Sequence, residues 1–259
     1  MLRIFSKAEL KSRNKNHRGE GREMKMSSIE VFKAGMGSGL RKFFESYEAP
    51  MKELIDNLDS DGFLIKSSSD EQVTRLQNLT KSCNMALKLS NDFHSLFDLD
   101  EEKRIEKVEH IKKAFNIKDE NRIAEHFGFI LTNTYLVFLE RLKIYFLFFV
   151  DWNKLGKKYK DIYGIGTAIK ALEKKYPTNK YLNYFDSGLR NSIAHYTFFW
   201  EPGGKIRLCS EIFDKNPNEI SLVELMKEIY ELNVLTEGFF IMLRDKYGLP
   251  DIKLEELER

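Results

Sequence analysis

LTNTYLVFLERLKIYFLFFV, residues 131–150, is the most hydrophobic window of this 259-residue chain, and its reading decides the fold. At about 20 residues it is long enough to cross a bilayer. Glu140, Arg141 and Lys143 stand at its centre, however. On the translocon scale a central Arg or Lys costs roughly 2.5–3.5 kcal/mol. A helix buried in protein is therefore the favoured reading, and the chain is expected to be soluble, cytoplasmic and free of membrane spans. The helical pattern extends from about Asn121 to about Trp152 and is apolar on most faces from Phe127 onward. Such a helix belongs at the centre of a bundle or in a dimer interface. Glu140 and Arg141 are read as its solvated edge.

Downstream, Gly156, Gly164 and Gly166 punctuate a loop before the helix TAIKALEKKYP, which Pro177 ends. Thr178 is expected to cap a further helix, NKYLNYFDSGLRNSIA. The pattern then changes: YTFFW reads as a strand, EPGG as a turn and KIRLCSEIF as a second extended run, together a short hairpin. Ser221 with Glu224 forms a capping box. The last helix follows, with Leu222, Leu225, Ile229, Leu232, Leu235, Phe239 and Met242 on one face.

Upstream, the glycines around MGSG lead into a short helix, LRKFFESYEAP, and Pro50 opens a second short helix from Met51 to Leu58. No Gly-Lys-Ser/Thr follows those glycines, so they are not a phosphate loop. Ser69 with Gln72 marks another capping box, starting a helix that runs to about Phe97. EEKRIEKVEHIKKAF forms the next, with Ile105, Val108, Ile111 and Phe115 as its buried stripe. Residues 1–26 carry eight Lys or Arg against three Glu and read as a basic, disordered tail or a segment upstream of a start at Met24 or Met26. The resulting organisation is tail 1–26, N-terminal helical region 27–118 and helical domain 119–259. The fold class is mainly α, a helical bundle with a short β-hairpin after the Arg–His helix.

Cys83 and Cys209 are far apart, as in a reducing compartment, and the five histidines form no metal-ligand spacing. No cofactor or metal is expected. Lys and Arg number 42 against 40 acids, giving a formal +2. Any nucleic-acid contact must therefore come from a local patch.

The chemistry concentrates in YFDSGLRNSIAHYTFFW, residues 184–200, where Arg190 and His195 stand in an otherwise apolar run. A buried charge needs a partner, either structural or a substrate phosphate. Asn191 and His195 are four apart and share a helix face. Arg190 and His195 are about 140° apart around an ideal helix, so they do not stack. They meet if the helix end distorts, or if a second copy of the helix supplies the other member. Asp186, four before Arg190, is placed to hold the guanidinium. A histidine takes a proton from a ribose 2′-hydroxyl near pH 7, or gives one to the departing 5′-oxygen. An arginine fork matches phosphate oxygens and stabilises the charge that develops in the transition state. The structural alternative is an Arg190–Asp186 bridge with His195 capping terminal carbonyls.

Arg190-Asn-Ser-Ile-Ala-His195 resembles the R-x4-H motif of the HEPN superfamily (higher eukaryotes and prokaryotes nucleotide-binding), in which a polar residue, commonly Asn, follows the Arg. The similarity covers roughly residues 120–247. It implies an all-α homodimer with facing motif helices and, in many members, a metal-independent endoribonuclease of toxin–antitoxin, abortive-infection or CRISPR-associated systems. Carried onto this chain, Arg190 and His195 are the catalytic pair, and Asn191, Asp186 and Tyr196 bind or orient the substrate. RNA is the expected substrate, and an antitoxin or nucleotidyltransferase is a candidate partner. Some relatives are non-catalytic modules that bind a nucleotide, RNA or another protein.

Overall fold

The computed structural model describes residues 27–65, eight isolated positions between 74 and 113, and 121–247 except 163, 186–187, 195–197, 202–204 and 210–217. The expected tail 1–26 and the Ser69–Gln72 capping box lie outside the described residues. So do Val108, Ile111 and Phe115 of the expected stripe over 101–115. Ile105 of that stripe is described and is 58% exposed. Helical spacing says which residues share a face, not whether a neighbour covers it.

The described helices are α1 (Ser28–Ala34), α2 (Ser38–Ser60), α3 (Asn121–Phe149), α4 (Ile165–Lys175), α5 (Lys180–Asn183), α6 (Gly188–Ala194) and α7 (Leu222–Tyr247). A short 3-10 turn, Tyr159–Asp161, precedes α4. The strands β1 (Phe198–Glu201), β2 (Lys205–Leu208) and β3 (Asn218–Ser221) form one antiparallel sheet in that order. The fold is thus mainly helical with a hairpin after α6. β3 adds a third strand that the sequence pattern did not announce, pairing Ile206 with Ile220 and Leu208 with Asn218.

Helix α7 is the axis of the molecule and packs against α1, α2, α3 and β3. Its start follows the capping box as read: the Ser221 amide donates to Glu224 Oε2 at 2.7 Å, and the Glu224 amide donates back to Ser221 Oγ at 3.2 Å. These bonds hold the exposed Glu224 carboxyl below its ordinary pKa, the Ser221 backbone amide contributing most. Gly238 lets α2 approach, because a Cβ there would stand 2.2 Å from Phe44 Cε2. Toward the ends of the same two helices, Lys246 meets Asp56 at 2.6 Å and Asp59 at 3.2 Å. Phe44, Met51, Leu54 and Leu58 of α2 join Phe138, Leu142 and Phe146 of α3 and Leu232, Leu235 and Phe239 of α7 in one apolar cluster.

The window that opened the reading is a core helix. Leu131, Phe138, Leu139, Leu142, Tyr145, Phe146 and Phe149 are buried, and no described helix is long and apolar enough to cross a membrane. Its central charges divide. Glu140 is exposed and pairs with Lys143 one turn on. Arg141 is not at the edge: it is 2% exposed, donates to Tyr145 Oη at 2.5 Å and is ion-paired with Glu237 of α7. The charge needed a partner from a helix 96 residues away, which spacing within α3 does not reveal.

Two local expectations change. Residues 38–60 form a single helix, with Pro50 inside it rather than starting a second one. Proline leaves the carbonyl four residues back without its usual donor. That carbonyl, Ser46 O, instead accepts from Lys180 Nζ at 3.4 Å, and Pro50 O accepts from Asn179 Nδ2 at 2.9 Å. The break in the ladder is where α5 docks. Asn179, not Thr178, is the N-cap of that segment, its side chain accepting from the Leu182 amide at 3.3 Å. The single helix expected after it divides into α5 and α6.

Candidate functional site around Arg190

Helix α6 is seven residues long and lies against α3 and β2. Leu189 and Ile193 are its buried apolar anchors, Ile193 fully so. Ser192, 1% exposed, donates from Oγ to the Cys209 carbonyl at 2.9 Å, tying the helix to the end of β2. The residues leading into α6 are fixed from the other side. Tyr184 packs edge-on against Phe43, Tyr47 and Phe185, and its hydroxyl donates to Glu228 of α7 at 3.2 Å. Burial, then the Glu228 charge, pushes the Tyr184 phenol far above its ordinary range, so it remains a donor at any working pH.

Arg190 points inward. It is 3% exposed, and its guanidinium borders the first turn of α4. A Cβ placed on Gly166 would stand 3.7 Å from Nη2 and 3.8 Å from Cζ of Arg190. Gly166 was read from sequence only as loop punctuation. It is the second residue of α4, and its missing side chain leaves the space the guanidinium flanks. The signal available in sequence was a glycine at the entrance of an amphipathic helix, which does not say what fills the gap.

The first turn of a helix presents free amide donors and a partial positive charge. A guanidinium at that place has the same sign, and such a field favours an anion such as a phosphate oxygen, while Arg190 is also engaged within its own chain. That is the chemistry available around Arg190. Asn191 lies in α6, with its side chain outside the described residues, as are Asp186, His195 and Tyr196. Among the described residues no group of three or more His, Cys, Asp or Glu side chains converges as a metal site. No protein-family model, curated protein or solved structure matches this chain.

Proposed function

We propose that the chain is a metal-independent endoribonuclease of HEPN type, acting on RNA through Arg190 and His195. Arg190 binds the scissile phosphate and stabilises its developing charge, and His195 moves the proton between the 2′-hydroxyl and the 5′-oxygen. Asn191, Asp186 and Tyr196 orient the phosphate or the imidazole. A homodimer with facing motif helices, and a role as a toxin or phage-defence effector held by an antitoxin or nucleotidyltransferase, belong to the same proposal. The supporting observation is Arg190 itself: a guanidinium beside the amide-rich first turn of α4, on a helix tied to the long helix and the sheet.

Its test is RNA incubated with the purified chain in EDTA. Wild type cleaves, and His195→Ala does not. Identical behaviour of the two refutes the catalytic assignment.

A second reading, a non-catalytic module of the same kind that binds a nucleotide, RNA or a partner protein, is favoured by the burial of Arg190. At 3% exposure the guanidinium is held inside its own chain, and a substrate phosphate must enter to reach it. Binding of RNA or nucleotide without strand scission distinguishes this reading from the first.

A further inference from the structure

Residues 154–180 carry eight lysines and two acids, Asp161 and Glu173, in a chain whose formal charge is only +2. Three of the lysines are engaged. Lys154 reaches the Gly62 carbonyl at 2.9 Å and Asp151 at 3.9 Å. Lys175 lies 3.7 Å from Asp61 and over the Phe63 ring. Lys180 donates to Ser46 O and lies over the Tyr47 ring.

The other five, Lys157, Lys158, Lys160, Lys170 and Lys174, are exposed and have no ion-pair partner among the described residues. The nearby acids do little to neutralise them. Asp161 accepts from the Lys158 amide at 3.3 Å, and Glu173 is half-buried and engaged elsewhere.

These five lie close together along the chain. Lys157, Lys158 and Lys160 sit on the loop that passes through buried Ile162 into α4, and Lys170 and Lys174 share a face of α4 one turn apart. Chain reach keeps the α-carbons of Lys160 and Lys170 within about 25 Å of each other. The first turn of that same helix borders the Arg190 guanidinium. Among the described residues none of the exposed large apolar side chains, Val31, Ile105, Phe129 and Val223, falls in this stretch, so none of them gives it an anchor in a lipid surface. Flexible ammonium groups in a row suit a chain of phosphates that is followed without base readout.

We propose that Lys157, Lys158, Lys160, Lys170 and Lys174 form a track for the phosphate backbone of single-stranded RNA leading to Arg190. The proposal rests on the RNA reading above and adds the surface that holds the substrate.

The test measures binding of a fluorescein-labelled single-stranded RNA to the full chain carrying His195→Ala, by anisotropy in EDTA across a salt series. Five phosphates neutralised on a single strand give a log–log slope of about −3.5, an affinity loss of about 100-fold between 50 and 200 mM salt. Replacing the five lysines by Gln is expected to remove most of that slope. Lys42→Gln with Lys52→Gln, two exposed lysines on α2, is expected to leave it unchanged. Matching thermal melts confirm that all three proteins are folded. The track is refuted if the five-lysine variant binds like the control, or if none of the proteins binds RNA. Cleavage by the wild-type chain, assayed separately, reports on the ribonuclease reading: RNA bound through the track but never cut leaves the track standing and removes the enzyme.

Discussion

Gly238→Ala adds one methyl at the closest approach of the two helices that build the core. The new carbon would stand 2.2 Å from Phe44 Cε2 and 2.7 Å from Cζ, where carbon atoms prefer about 3.5–4.0 Å. Phe44 is fully buried and packs edge-on against Phe32 with ring centroids 5.6 Å apart, so a shift of the ring disturbs packed neighbours. Overpacking of this kind costs typically about 1–3 kcal/mol. Helix propensity acts the other way, since replacing Gly by Ala inside a helix gains about 0.5–1 kcal/mol. The clash is expected to win, and Gly238→Ala should lower stability by about 1–2 kcal/mol, allowing for both effects. The control is the same change in a Phe44→Leu background, where the shorter side chain removes the clash and Gly238→Ala should become stabilising. Urea titrations followed by circular dichroism, with m unchanged, give both differences and their coupling. If Gly238→Ala alone stabilises the wild-type chain, the close approach of α2 and α7 is wrong.

Three further outcomes are expected. Glu231 of α7 is held above its ordinary pKa, chiefly by burial and then by the Glu228 charge, with Lys227 opposing. An ionised carboxyl of that kind destabilises the fold above its raised pKa, and the penalty disappears as pH falls below the ordinary value of 4.5. Glu231→Gln should therefore be more stable than wild type at pH 7, with the difference closing in acid melts. Asn179 is 2% exposed and both caps α5 and donates to Pro50 O, so Asn179→Ala should cost about 2 kcal/mol in urea titrations, and Asn179→Asp, which sets a carboxylate oxygen against the Pro50 carbonyl, should also destabilise at pH 7 even though it can keep the cap. A methyl at Gly166 makes only ordinary contact with Arg190, so Gly166→Ala should raise stability by about 0.5–1 kcal/mol and, on the ribonuclease reading, preserve RNA cleavage. Gly166→Leu should displace the guanidinium and lower the cleavage rate about 100-fold, the size of effect that a misplacement of about 1 Å produces.

Sequence pattern reached the elements whose signals are local. The span of α3, the capping box of α7 and the β1–β2 pairing were all legible, because periodicity, a Ser-x-x-Glu spacing and two extended runs parted by Pro and Gly are signals within a few residues. It failed where the stabilising partner is remote. Pro50 looked like a helix start, since nothing near it announces that Asn179 and Lys180 would satisfy the interrupted ladder. Arg141 looked solvated because Glu237 is far along the chain. β3 carries no strand signal of its own, because its four residues become a strand only when β2 offers an edge. At the candidate site, the R-x4-H spacing singled out Arg190, but not its burial against Gly166 or the tie from Ser192 to Cys209. Those depend on how α4 and β2 pack around α6.

The most direct test of the central claim is the chemistry of the ends left on a synthetic single-stranded RNA. Wild type, Arg190→Ala and His195→Ala are incubated with it in EDTA, and the products are weighed by mass spectrometry. The ribonuclease reading predicts 2′,3′-cyclic phosphate ends from wild type and intact RNA from both variants. Intact RNA with wild type, or the same cut products from all three proteins, would contradict it.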